Sequence, residues 1–150
     1  MASRRPPLAP ALETCYRPGL IARLVTRLLL AALFLVAGTK HLRDPAFFLP
    51  IMPPWIPGPI LCIQVSGVFE LLGGIGLLIP LRPIQTVTGW GLVLLLVAVF
   101  PANIYMAVAH VKIHRFPPHD WMSWARLPLQ PVLILAVMWV TRIWPGWRLP

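Results

Sequence analysis

The chain has 150 residues, of which 58% are hydrophobic and 11% charged, with a mean hydropathy of +0.77. A soluble domain carries about 25% charged residues, so a water-covered globule is excluded, as are a disordered chain and, with two cysteines, a disulfide scaffold. Thirteen Lys and Arg against four Asp and Glu give a net charge of +9, but these residues stand at the ends of apolar runs; they point to headgroups and membrane topology, and away from nucleic acid.

Residues 1–18 carry Arg4, Arg5 and several prolines, and read as a disordered basic tail. One four-helix transmembrane domain is expected over 19–150. Its first span covers about 20–42. The uninterrupted part, Leu28 to Ala37, is only about half the ~20 residues that cross a bilayer, so Arg23, Arg27, Lys40 and His41 are expected to reach for the headgroups. The loop Asp44–Pro59 is apolar and rich in proline. It is expected to be neither helix nor strand, and to lie on the membrane boundary or dip over the bundle as a lid.

A second span is expected over 60–79, a third over 84–110 with Pro101 inside it, and a fourth over 127–144. Four spans return both termini to one side. Eight basic residues fall on that side (Arg4, Arg5, Arg17, Arg23, Arg27, Arg82, Arg142, Arg148) and five on the other (Lys40, Arg43, Lys112, Arg115, Arg126). Positive charge favours the cytoplasm, so both termini are expected inside. Trp55, Trp121 and Trp124 then mark the outer interface, and Trp90, Trp144 and Trp147 the inner one.

Polar residues inside the spans carry the most information, because each must be paired or face a cavity. Glu70 falls near mid-membrane, and Ser66, Gly67, Glu70, Gly73 and Gly74 share one helix face at 100° per residue. Small residues beside the acid let a neighbouring backbone approach, so this face should point into the bundle. On the third helix Asn103, Ala107, His110 and His114 share a face, and on the fourth Arg126 and Gln130 stand four apart. His41, Glu70, Asn103, Arg126 and Gln130 thus come from four helices at overlapping heights, while the inner half is more apolar. Two readings stand: hydrogen bonds that set helix register, or an outward-opening polar pocket in which His41 or Glu70 exchanges a proton. His110, His114, His119 and Asp120 invite a metal reading, but no HExxH pattern or cysteine partner supports one. No Ser-His-Asp or paired-carboxylate arrangement can be assembled, and Cys15 and Cys62 are far apart.

An ordered set of fragments runs from about Arg27 to Trp139: Gly38-Thr39-Lys40-His41, Phe47-Phe48, Pro53-Pro54-Trp55-Ile56-Pro57, Ser66-Gly67-Val68-Phe69-Glu70, Phe100-Pro101-Ala102-Asn103 and Arg126-Leu127-Pro128-Leu129-Gln130. In these the chain resembles the DoxX-like family of small four-helix bacterial inner-membrane proteins. The resemblance implies an accessory, non-catalytic subunit associated with a respiratory or redox membrane complex. A quinone or other lipid-like molecule would sit in the outer-half pocket. Glu70 would then be the buried acid, His41 the proton-exchanging group, Arg126 an electrostatic anchor, and Asn103 and Gln130 orienting partners. The alternative is an assembly factor for other membrane proteins. A small transporter ranks last, since the inner half lacks a polar lining.

Overall fold

The computed structural model describes residues 18–109 and 120–143. Nearly all of the basic tail, the histidines at 110, 114 and 119, and Trp144 and Trp147 lie outside the described residues. Four long helices make up most of what is described: α1 (Pro18–Arg43), α2 (Pro59–Leu78), α3 (Arg82–Val108) and α4 (Asp120–Thr141). All four are long and apolar enough to cross a membrane. At 1.5 Å per residue, the 20 residues of α2 span about 30 Å, matching the hydrocarbon of a bilayer. The outward faces are leucine- and valine-rich: Leu29, Val36, Leu72, Val87 and Leu94 are all exposed.

Prolines punctuate the helices by position. Pro18 and Pro59 open α1 and α2, where a missing N–H costs nothing. Gly58, at φ 61°, supplies the left-handed turn that admits α2. Pro101, Pro128 and Pro131 instead lie inside helices that continue through them. The fourth helix therefore starts at Asp120, seven residues before the expected span, and stops at Thr141 rather than near 144. Hydropathy marks what lipid will accept; a polar first turn and a half lose that signal while keeping helical geometry.

The helices run antiparallel in sequence order. Gly38 of α1 meets Gly67 of α2, and Ala31 and Leu35 meet Gly74. On the next pair Gly73 faces Leu92 and Gly76 faces Thr88; on the last, Gly89 faces Thr141 while Met106 faces Arg126. α1 packs mainly on α2, and α3 mainly on α4. Without a hydrophobic force between helices in lipid, close backbone approach has to supply the attraction. The α1–α2 crossing shows this. A Cβ on Gly38 would come within 2.6 Å of the Gly67 carbonyl oxygen. As expected, Gly67, Glu70, Gly73 and Gly74 are buried.

An apolar core lies toward the end of the bundle where α1 begins and α4 ends. Leu30, Ala31 and Phe34, Leu77, Leu92 and Leu96, and Val137 and Val140 form one cluster drawn from all four helices. That half, expected to be the more apolar one, still holds a buried amide. Gln85 is buried there, and its Nε2 donates to the carbonyls of Gly76 and Leu77 at 3.1 Å and of Ile79 at 2.5 Å. They lie where α2 ends before Pro80; the Gly76 carbonyl also accepts the Ile79 N–H at 3.3 Å. Gln85 acts as a cap supplied by the next helix.

The apolar loop after α1 also departs from expectation. Pro45–Ile51 forms a 3-10 helix, although its prolines argued against any helix. The proline φ near −65° suits a 3-10 turn, and the rule against it applies to α-helix interiors. Bonds from Phe47 N–H to the Asp44 carbonyl (3.2 Å) and from Met52 N–H to the Leu49 carbonyl (3.1 Å) close the turn at its two ends. Ile51 and Pro53 are buried beneath it, and Trp55 meets Tyr105 of α3 edge-on at 5.7 Å.

Candidate functional site

The opposite half of the bundle, under this loop, holds a cavity of about 910 Å³. Its floor is the apolar core, through Phe34 and Leu96, and its roof includes Phe48, Ile51 and Met52. His41, Glu70, Asn103, Arg126 and Gln130 all line it. They are spread over four helices, and three observations describe how each is held.

His41 Nδ1 lies 2.7 Å from Glu70 Oε2, the ion pair or hydrogen bond recorded between acid and base among the described residues. His41 thus turns inward to α2 instead of reaching for headgroups as expected, and Lys40 lies over the Phe47 ring at 4.8 Å. The α1–α2 crossing sets this geometry, because Gly67 stands directly against the His41 Cβ position. Phe48 closes edge-on over the imidazole, with centroids 4.1 Å apart. The side chains of His41 and Glu70 are 17% and 11% exposed, so the pair is largely out of solvent. His41 Nε2 and Glu70 Oε1 make no further bond to described residues. Each thus keeps one polar atom uncommitted at the cavity wall.

Asn103 and Gln130 form a second pair. Asn103 Nδ2 donates to Gln130 Oε1 at 2.7 Å, and Gln130 Nε2 donates to the Leu96 carbonyl. Pro101 leaves the Val97 carbonyl of α3 without its helical donor; the carbonyl that Gln130 reaches from α4 is the neighbouring one, of Leu96. Gln130 is therefore fully engaged, whereas Asn103 keeps its Oδ1 for an occupant. Gln130→Leu is expected to lower stability by about 1 kcal/mol, read from an SDS unfolding titration in mixed micelles; no measurable change would show that the pair does not brace α3 on α4.

Arg126 completes the lining. Its Nη1 contacts the Met106 sulfur at 3.9 Å, and no carboxylate pairs with it among the described residues. Its planar fork of donors is the group in this lining best suited to a carboxylate or phosphate. Apart from Ser66 and Cys62 the rest of the lining is apolar, and several of its side chains (Val65, Phe69, Leu94) are exposed. Leu33 and Leu129 are exposed as well, so the cavity is not sealed from the apolar surface of the bundle. Exposed Cys62 also lines it. Among the described residues no three His, Cys, Asp or Glu side chains converge as metal ligands.

Sequence reasoning could place His41 and Glu70 at similar heights but could not pair them. The pairing depends on the register of α1 against α2, and Gly38 opposite Gly67 was the available signal. Roof residues such as Phe48 and Met52 were missed because an apolar loop carries no polar mark.

Residues 30–141 match the family described as a domain of unknown function, DUF8561. No curated protein and no solved structure matches the chain. The matched region covers more than half of the chain and takes in all five polar cavity residues; the protein belongs to the DUF8561 family.

Proposed function

We propose that this protein is a small four-span membrane protein of DoxX-like type that holds a quinone or similar amphiphile as an accessory to a redox membrane complex. In this reading it sits in the inner membrane with both termini cytoplasmic. The observation that carries it is the division of the cavity: a polar end with the His41–Glu70 pair, an unpaired guanidinium and an amide, and an apolar body not sealed from the bundle surface. A ring carbonyl or hydroxyl would meet His41, Glu70 and Asn103, and an isoprenoid or alkyl chain would leave past the exposed apolar lining. The DoxX-like resemblance supports the redox association.

Cys62 gives the test. In a Cys15→Ser background, a decyl-benzoquinone added to the detergent-solubilised protein should slow maleimide labelling of Cys62 several-fold. Glu70→Gln and His41→Ala should abolish that protection while leaving the unprotected rate unchanged. Equal labelling with and without quinone, in protein shown to be folded, would overturn the reading. Recovery of an intact partner complex that needs this protein, with no small molecule bound, would favour the assembly-factor role.

A further inference from the structure

The end of the bundle remote from the cavity carries a second concentration of charge. Arg23 and Arg27 stand one turn apart on α1, Arg82 opens α3, and Arg142 follows the last residue of α4. The charges of Arg142 and Arg82 both act on Arg23. No acid offsets them among the described residues, where Asp44, Glu70 and Asp120 belong to the other half. Arg23 lies over the Trp139 ring at 5.5 Å. The Nε atoms of Arg23 and Arg27 are buried without a hydrogen-bond partner. Like charges drawn from three helices and held together this way repel one another unless an anion sits among them.

The backbone at Arg142 gives a second, independent sign. Its φ is 54°, the one left-handed non-glycine among the described residues. The Arg142 N–H donates to the Trp139 carbonyl and the Ile143 N–H to the Met138 carbonyl, both at 3.3 Å. This is the Schellman termination, whose left-handed position is usually glycine. An arginine there is conformationally unfavourable, and nothing within α4 requires its side chain. What it adds is a further guanidinium within electrostatic reach of Arg23.

We infer that these four arginines form a binding site for the phosphates of an anionic phospholipid, a lipid with two phosphates being preferred over one. Lipid is the source the surroundings favour. Leu20, Leu24 and Leu28 are exposed beside Arg23 and Arg27, so a bound phosphate would have its acyl chains against apolar helix surface. Basic clusters between membrane helices recognise such headgroups by charge and multidentate hydrogen bonds. The site is independent of the cavity and of its occupant.

The test is native mass spectrometry of the full chain after exchange into micelles containing diphosphatidylglycerol, phosphatidylglycerol or phosphatidylcholine, with inorganic pyrophosphate as a lipid-free arm. Retention should follow the order two phosphates, one phosphate, zwitterion. Arg142→Gly is the decisive variant, because glycine suits the left-handed turn and should raise the unfolding midpoint. It should nevertheless reduce the ratio of diphosphatidylglycerol to phosphatidylcholine retained. Arg23→Gln with Arg142→Gly should reduce that ratio by about 30-fold, whereas Arg43→Gln at the opposite end should leave it unchanged. A ratio indifferent to Arg142→Gly and to the double variant would overturn the proposal. So would an equal loss in Arg43→Gln. Pyrophosphate bound as tightly as the lipid would overturn the choice of lipid as the source.

Discussion

His41→Ala is expected to lower the unfolding free energy by about 3 kcal/mol, because it leaves the Glu70 carboxyl buried without its partner. That exceeds the roughly 0.6 kcal/mol typical of neutral polar pairs between membrane helices. The difference is that a carboxylate, unlike an amide, can find no relief from lipid. Glu70 is 9% exposed and its nearest base is the imidazole 2.7 Å away. Replacing both residues, as His41→Leu with Glu70→Leu, should recover stability to within about 1 kcal/mol of the parent, since an apolar pair needs no compensation. The double variant should still fail to protect Cys62 in the presence of quinone. A stability titration and the labelling assay, run on the same preparations, would then separate what the pair does for the fold from what it does in the cavity. If the single variant costs less than about 0.5 kcal/mol, the pair is not the buried interaction described here.

The second large effect is expected at the α1–α2 crossing. Gly38→Val should cost about 2–3 kcal/mol, in the range of overpacking. The obstacle is the Gly67 carbonyl oxygen at 2.6 Å from the new Cβ, and backbone cannot swing aside as a side chain does. The helices must separate, and His41 must move away from Glu70 with them. Quinone protection of Cys62 should therefore fall together with stability. Gly91→Ala is the matching control: nothing lies within 4 Å of its Cβ position. Being in a helix interior, that change should be neutral or stabilising by about 0.5–1 kcal/mol. Equal behaviour of the two variants in an SDS titration would sink the claim that close backbone contact holds α1 on α2.

Much of the architecture is legible in the sequence because lipid imposes one strong requirement, that backbone polar groups be satisfied within each span. Hydropathy therefore located the four helices, and the expense of an acid in a span drew attention to Glu70. The misplacements have physical causes. The start of α4 was missed because Asp120 to Arg126 is helical but polar, so its end was set by hydropathy instead of by hydrogen bonds. The 3-10 turn was missed because a proline-rich segment was judged by the rule for α-helices. Gln85 was not singled out in the sequence; its role as a cap depends on the three-residue Ile79–Leu81 turn, which brings it under the end of α2. The His41–Glu70 pair needed a helix register that composition does not contain.

The exposed apolar lining of the cavity has a consequence for the ligand proposed above. Such a molecule would enter in two dimensions, from neighbouring lipid, past side chains such as Val65, Phe69 and Leu94 on its way to His41 and Glu70. Occupancy then depends on the mole fraction of that molecule in the bilayer, and its concentration in water drops out except through partitioning. Two compounds with identical heads and different tails can differ widely when dosed by volume, yet coincide when plotted against their surface density. Reconstitution at several lipid-to-protein ratios is the natural titration for this protein, and dilution with inert lipid is the way to empty it.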